Sequence, residues 1–243
     1  MTTPSVSRAT TAAEADAVRV GGRSALLAGI VFLGTIAYTF GFLFARGLST
    51  DMLNVPAQLL PWVHANTVPY VGLWWIFTLH FFCLLAAPRG LAVIAGSERA
   101  IIRVATVAGV AGAIVGMIAA QVNAATAPPL AAAAVSLSPA QLPSVWLQSE
   151  LAGGLGLQLR LLSDLLMALW LGTTGLTLVK LVGWRALGAA QLAVSALVVV
   201  VYVGKPFDWL DLEASLGFVL ALVYLWIGVA LLRSLRGQRS SSS

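Results

Sequence analysis

The sequence predicts an all-α fold, a polytopic bundle of six transmembrane helices, and three observations carry that prediction. The chain has 243 residues, 59% of them hydrophobic and 9% charged, against roughly 25% charged in soluble domains. Six apolar stretches meet or approach the roughly 20 residues that a helix needs to cross a hydrocarbon core about 30 Å thick. The Lys and Arg residues collect on one side of those stretches, the bias that orients membrane proteins.

Taken in order, residues 1–20 carry Ser, Thr, Ala and mixed charge without an apolar core. They are therefore expected to be a disordered cytoplasmic tail and not a cleavable signal peptide. The spans are placed at 23–46, 68–88, 101–123, 151–179, 186–203 and 213–233, so that the bundle occupies 21–236. The connections 47–67 and 124–150 are rich in Pro, Ala and Leu, each with a Trp, and read as segments lying in the outer interface. Gly183-Trp184-Arg185 supplies the short turn between the fourth and fifth spans. The Ser-rich end, 237–243, reads as a second disordered tail.

With the N-terminus inside, the inner face holds Arg8, Arg19, Arg23, Arg89, Arg99, Arg103, Lys180, Arg185, Arg233, Arg236 and Arg239. The outer face holds only Arg46 and Lys205, and Arg160 falls within a span. This asymmetry predicts N-in, C-in topology. It also accounts for the net charge of +5 without nucleic acid as a partner, and makes membrane lipids, anionic head groups among them, the expected partners. The single cysteine, Cys83, excludes an intramolecular disulfide and a Cys-based metal cluster.

The chain also resembles itself. Arg23-Ser-Ala-Leu-Leu-Ala-Gly29 opens the first span and Arg103-Val-Ala-Thr-Val-Ala-Gly109 the third, with Arg, both Ala and Gly in register. Pro56-Ala-Gln-Leu59 precedes Trp62, and Pro139-Ala-Gln-Leu142 precedes Trp146. A fainter third copy places Trp209 after Pro206. The pattern predicts three parallel helical hairpins related about an axis along the membrane normal.

Ionisable groups within lipid are costly, by about 2.5–3.5 kcal/mol on insertion scales, so those present need partners or a purpose. Arg160 and Asp164, four apart, share one helix face, and His80 lies inside the second span. His80 follows Trp62, and Asp164 follows Trp146, by the same 18 residues. The repeat therefore puts them at matching depth and predicts a buried network of His80, Arg160 and Asp164, with the carboxylate shared between Arg and His. Such a network can fix helix packing, relay protons or hold a ligand. Tyr38, Thr39, Gln121, Asn123, Gln191 and Tyr202 are candidates to extend the polar interior through interhelical hydrogen bonds.

A second candidate is an outer-mouth ring of His64, Asn66, Gln148, Glu150, Asp211 and Glu213, with Asp208 nearby. Its spacing matches no metal-ligand signature, and helix N-capping accounts for the same residue types. Haem is disfavoured because the two histidines lie 16 residues apart on one segment, roughly 24 Å along a helix. With no phosphate-binding Gly-rich loop and no Gly-x-Ser-x-Gly elbow, the sequence implies no catalytic residue, metal or cofactor. Gly109, Gly112 and Gly116 read as a helix-packing face.

As a whole the chain resembles the bacterial membrane proteins of the domain-of-unknown-function class 4386. The resemblance rests on Ala28-Gly29 in the first span, the Pro-containing outer segment, Asp164 in the fourth span and the Gly183-Trp184-Arg185 turn. It implies a six-helix protein of the bacterial cytoplasmic membrane and supplies no catalytic residues. The residues themselves favour a non-catalytic membrane protein that binds a hydrophobic or amphipathic small molecule, or a membrane partner, within its bundle. A small proton-coupled transporter and an intramembrane enzyme acting on lipid or isoprenoid substrates are the alternatives.

Overall fold

The computed structural model describes residues 11–204 and 213–240. Among the described residues there are eight α-helices and no strand: α1 Ala12–Ala37, α2 Pro56–Ala65, α3 Thr67–Leu84, α4 Ala87–Ala95, α5 Ala100–Ser136, α6 Leu142–Leu178, α7 Arg185–Gly204 and α8 Glu213–Ser240. Five stretches are long and apolar enough to cross a membrane: Ala12–Leu43, Thr67–Ala95, Ala100–Ser136, Leu142–Leu178 and Leu216–Leu235. α7 contributes a shorter one, Arg185–Val201. The chain is a helical membrane protein with five helices of full crossing length among the described residues, against the six spans expected.

The packing is that of a protein whose solvent is lipid. Large apolar side chains face outward, among them Trp75, Leu79 and Phe82 on α3, Val104, Val107 and Ile118 on α5, and Phe218 and Trp226 on α8. The interior between helices is lined by small residues, including Ala25, Ala28, Ala105, Ala113 and Ala221. Where lipid tails are as apolar as Leu, helices associate through close backbone approach, and small residues permit it.

Six helices close into a ring in the order α1, α3, α5, α6, α7, α8, with α8 returning to α1. Among the described residues, no pair of helices on opposite sides of this ring comes within 8 Å between Cα atoms. Glycine lines four of the six seams. A Cβ added to Gly228 of α8 would lie 2.7 Å from the Leu26 backbone nitrogen of α1. On α5, Gly112 abuts α6, where the Ser163 hydroxyl donates to the Gly112 carbonyl at 2.8 Å. Gly109 meets Trp170 and Pro88, and Gly116 meets Phe81 of α3, so the glycine face expected on this helix serves three neighbours. Gly175 and Gly188 bring α6 and α7 together around the fully buried Gln191.

The two short helices occupy opposite ends of the ring. α4 sits in the end formed by the start of α1 and the last turns of α8, touching α1, α5, α6 and α8. Its Ala87, Pro88, Gly90, Leu91, Ala92 and Ala95 are buried, and Gly90 packs directly on Gly21. At the other end, α2 builds a separate core of Leu43, Leu60, Trp62, Val63, Tyr70, Ala131 and Val145.

Several expected boundaries move. Residues 12–20, expected in the N-terminal tail, are helix. Thr11 accepts from the Glu14 backbone N–H at 3.2 Å while the Glu14 carboxylate accepts from the Thr11 backbone N–H at 2.8 Å, a capping box that starts α1 before its apolar run. At the other terminus α8 continues to Ser240, so 237–240 are helix and 241–243 lie outside the described residues. The interfacial segment expected at 124–150 is instead two helical extensions of α5 and α6 joined by residues 137–141. The physical reason is composition, since this stretch is dominated by Ala, the strongest helix former, and Pro143 stands in the first turn of α6, where its missing N–H is harmless. In the 47–67 connection, Trp62 is buried and its indole N–H donates to the Arg46 carbonyl at 2.8 Å, so it anchors a fold rather than a lipid interface.

Candidate functional site at the centre of the ring

His80 comes from α3, where it is 2% exposed. Its Nδ1 lies 3.0 Å from the Ala28 carbonyl of α1, and since a carbonyl only accepts, Nδ1 carries the proton. The ring is walled by Phe32 at 4.4 Å, Phe81 at 4.9 Å and Tyr224 at 5.7 Å between centroids. The arrangement follows from the seam with α1, because Ala25 and Ala28 let α1 approach closely enough for its main chain to become the partner of the imidazole.

Arg160 and Asp164 come from α6 and share its inward face, as their spacing predicts. Arg160 Nε stands 3.8 Å from Asp164 Oδ2, with the two side chains 38% and 26% exposed, an ion pair too long to be a hydrogen bond. The guanidinium lies 5.2 Å above the Phe77 ring of α3, a cation–π contact. Arg160 thus spans a gap that the backbones of α3 and α6 leave open. Tyr224 of α8, 2% exposed, is within electrostatic range of both Arg160 and Asp164, and His80 is within range of Arg160. The centre therefore draws on α1, α3, α6 and α8.

One donor here has no hydrogen-bond acceptor. Arg160 Nε is buried and forms no hydrogen bond, whereas the Trp74 indole pairs with the Tyr70 side chain; both side chains lie against Phe77, with the Trp74 and Phe77 rings stacked at 5.6 Å. An unmade hydrogen bond at a buried donor costs about 1–3 kcal/mol, and more when the group is charged. A charged donor of this kind beside an aromatic ring is what the head of an acidic or strongly hydrogen-bonding molecule would meet.

The expected network of His80, Arg160 and Asp164 is drawn to one region, but His80 uses Nδ1 on the Ala28 carbonyl and not on the shared carboxylate. Sequence reasoning missed Phe32, Phe77, Trp74 and Tyr224. Tyr224 carries the only hydroxyl within 216–233, a signal that was there to be used. The other polar candidates bond between or within helices. Gln121 Nε2 donates to Thr78 Oγ1 at 2.7 Å. Tyr38 donates to the Pro69 carbonyl at 3.1 Å, Thr39 to Thr35 and Asn123 to Ala119. Thr174 donates to Gln191 Oε1 at 3.2 Å. The Tyr202 side chain lies outside the described residues.

At the α2 end, His64, Gln148 and Glu150 are exposed, and Asn66 donates to the Trp62 carbonyl at 3.0 Å, finishing α2. Asp208 and Asp211 lie outside the described residues, as does the Glu213 side chain, although Glu213 begins α8. Among the described residues no three His, Cys, Asp or Glu side chains come together as a metal site.

No family model, no curated protein and no solved structure matches this chain, so its function is argued from the ring and its centre.

Proposed function

We propose that the protein binds an amphipathic small molecule at the centre of its helical ring, as a non-catalytic, multi-pass protein of the bacterial cytoplasmic membrane. In this reading α7 makes a sixth crossing and both termini are cytoplasmic. The α4 end, beside Arg19, Arg23, Arg89, Arg99, Arg103, Lys180, Arg185 and Arg233, is then the inner one.

The observation that carries the reading is Arg160 Nε, a donor without a hydrogen bond, held over Phe77 beside the stacked Trp74 ring. It lies where α3 and α6 do not meet. A ligand whose polar head accepts from Arg160, and whose apolar body lies along the aromatic wall, satisfies a donor that the protein itself does not. The test is mass analysis of small molecules that co-purify in mild detergent. Arg160→Gln and Trp74→Phe, each folded by circular dichroism, are expected to lose a species that the parent retains. An unchanged complement in both variants would overturn the reading.

A second reading, a proton-coupled carrier, draws on the titratable pair His80 and Asp164 in the same central region. Proteoliposomes whose lumenal pH responds to no candidate solute would count against it.

A further inference from the structure

We infer that the cavity beside α4 holds one acyl chain of an anionic phospholipid, whose phosphate rests on basic residues at its rim. The site is distinct from the ring centre and stands independently of the reading given above.

The cavity, about 350 Å³, opens where α4 leaves the ring, within the roughly 300–1,000 Å³ of small-molecule sites. Four segments wall it: Val18 of α1, Ile94 of α4, Leu181 and Trp184 of the turn before α7, and Leu235 of α8. The one hydroxyl in the lining, Ser234, is committed to the Leu231 carbonyl of its own helix at 2.7 Å. The lining side chains are thus chiefly hydrocarbon with one indole, which suits an acyl chain.

The rim has the opposite character. Lys180 adjoins Leu181, Arg185 adjoins Trp184 and Arg233 adjoins Ser234, each an exposed cation next in sequence to a lining residue. Arg19, beside Val18, is paired with Asp16 at 2.9 Å. Among the described residues, no ion pair within 4.0 Å involves Lys180, Arg185 or Arg233. Three exposed cations next in sequence to the lining favour an amphiphile with a negative head, and a Trp in the wall is the residue expected at the level of lipid head groups. A zwitterionic lipid would fill the hole but leave the rim without a net partner.

The experiment titrates the purified full chain in detergent with phosphatidylglycerol and, separately, with phosphatidylcholine, counting bound lipids by native mass spectrometry. The expected result is one phosphatidylglycerol retained with at least tenfold preference over phosphatidylcholine. Ile94→Trp, which fills the cavity, should abolish that binding. Val182→Trp blocks the mouth from a position that is 87% exposed and so leaves folding intact; it should do the same. The triple variant Lys180→Gln, Arg185→Gln, Arg233→Gln should erase the preference between the two lipids. Equal retention of both lipids by the parent overturns the proposal. So does phosphatidylglycerol binding that survives Val182→Trp, which would mean surface charge alone, or a preference that survives the triple variant.

Discussion

Replacing Gly228 by Ala tests the closure of the ring. An added Cβ would lie 2.5 Å from Leu26 Cγ, 2.7 Å from the Leu26 backbone nitrogen and 2.8 Å from the Gly22 carbonyl oxygen, where ordinary contact begins at 3.4 Å. The Leu26 side chain can turn away, but the two backbone atoms cannot, so α1 and α8 must part by about 0.7 Å to bring the nearer one from 2.7 Å to ordinary contact at 3.4 Å. A radial gap of roughly 0.5–1 Å forfeits a quarter to a half of the attraction in each contact it opens. Overpacking of this kind costs about 1–3 kcal/mol, while the better helix propensity of Ala returns up to about 1 kcal/mol. With a mid-range cost of about 2 kcal/mol, the net expectation is a loss of about 1 kcal/mol. Gly154 of α6 provides the control, since nothing lies within 4 Å of its added Cβ and only the favourable propensity term of about 1 kcal/mol applies. Thermal unfolding in detergent, followed by circular dichroism, should show Gly228→Ala melting below the parent and Gly154→Ala at or above it. A Gly228→Ala protein as stable as the parent would refute the α1–α8 seam as described.

Three further outcomes are expected. Thr11→Ala removes one half of the capping box and should weaken the start of α1 by about 1 kcal/mol, seen as faster amide exchange confined to its first turns with an unchanged global melting point. A double-mutant cycle on Gln121→Leu and Thr78→Val should return a coupling of about 0.6 kcal/mol, the mean for hydrogen bonds between membrane helices, and a coupling of zero would deny that bond. Arg160→Leu should destabilise the fold by about 1 kcal/mol in chemical denaturation, through loss of its contact over the Phe77 ring and of its partly exposed ion pair with Asp164, and an unchanged midpoint would deny both contacts.

The crossing helices were legible because hydropathy and helix length are coupled by the thickness of the bilayer. The ends were not, because they obey other rules. Residues 124–136 continue α5 through the propensity of Ala and not through hydropathy, and 12–20 continue α1 because Thr11 and Glu14 satisfy its first backbone donors, a signature present in the sequence but outweighed there by polarity. α4 escaped because its nine residues are too short to register as a span, although Pro88 in its first turn and the apolar Leu91, Ala92 and Ala95 mark it. At the centre, spacing alone placed Arg160 and Asp164 on one face of α6. It could not show which way His80 turns, since that depends on how near α1 comes, and α1 is brought near by alanines that carry no chemical signal of their own.

The ring also imposes an order on its own assembly. The principal partner of α1 is α8, so the seam that closes the ring joins the first and last of the described helices. During synthesis at roughly 5–20 residues per second, α1 waits on the order of ten seconds or more with Gly22 and Gly29, which meet α8 in the finished ring, facing lipid. Small residues make that wait tolerable, because an exposed glycine face offers little apolar surface to a wrong neighbour. The same face that lets the last helix dock so closely also keeps that side of α1 uncommitted until the helix arrives.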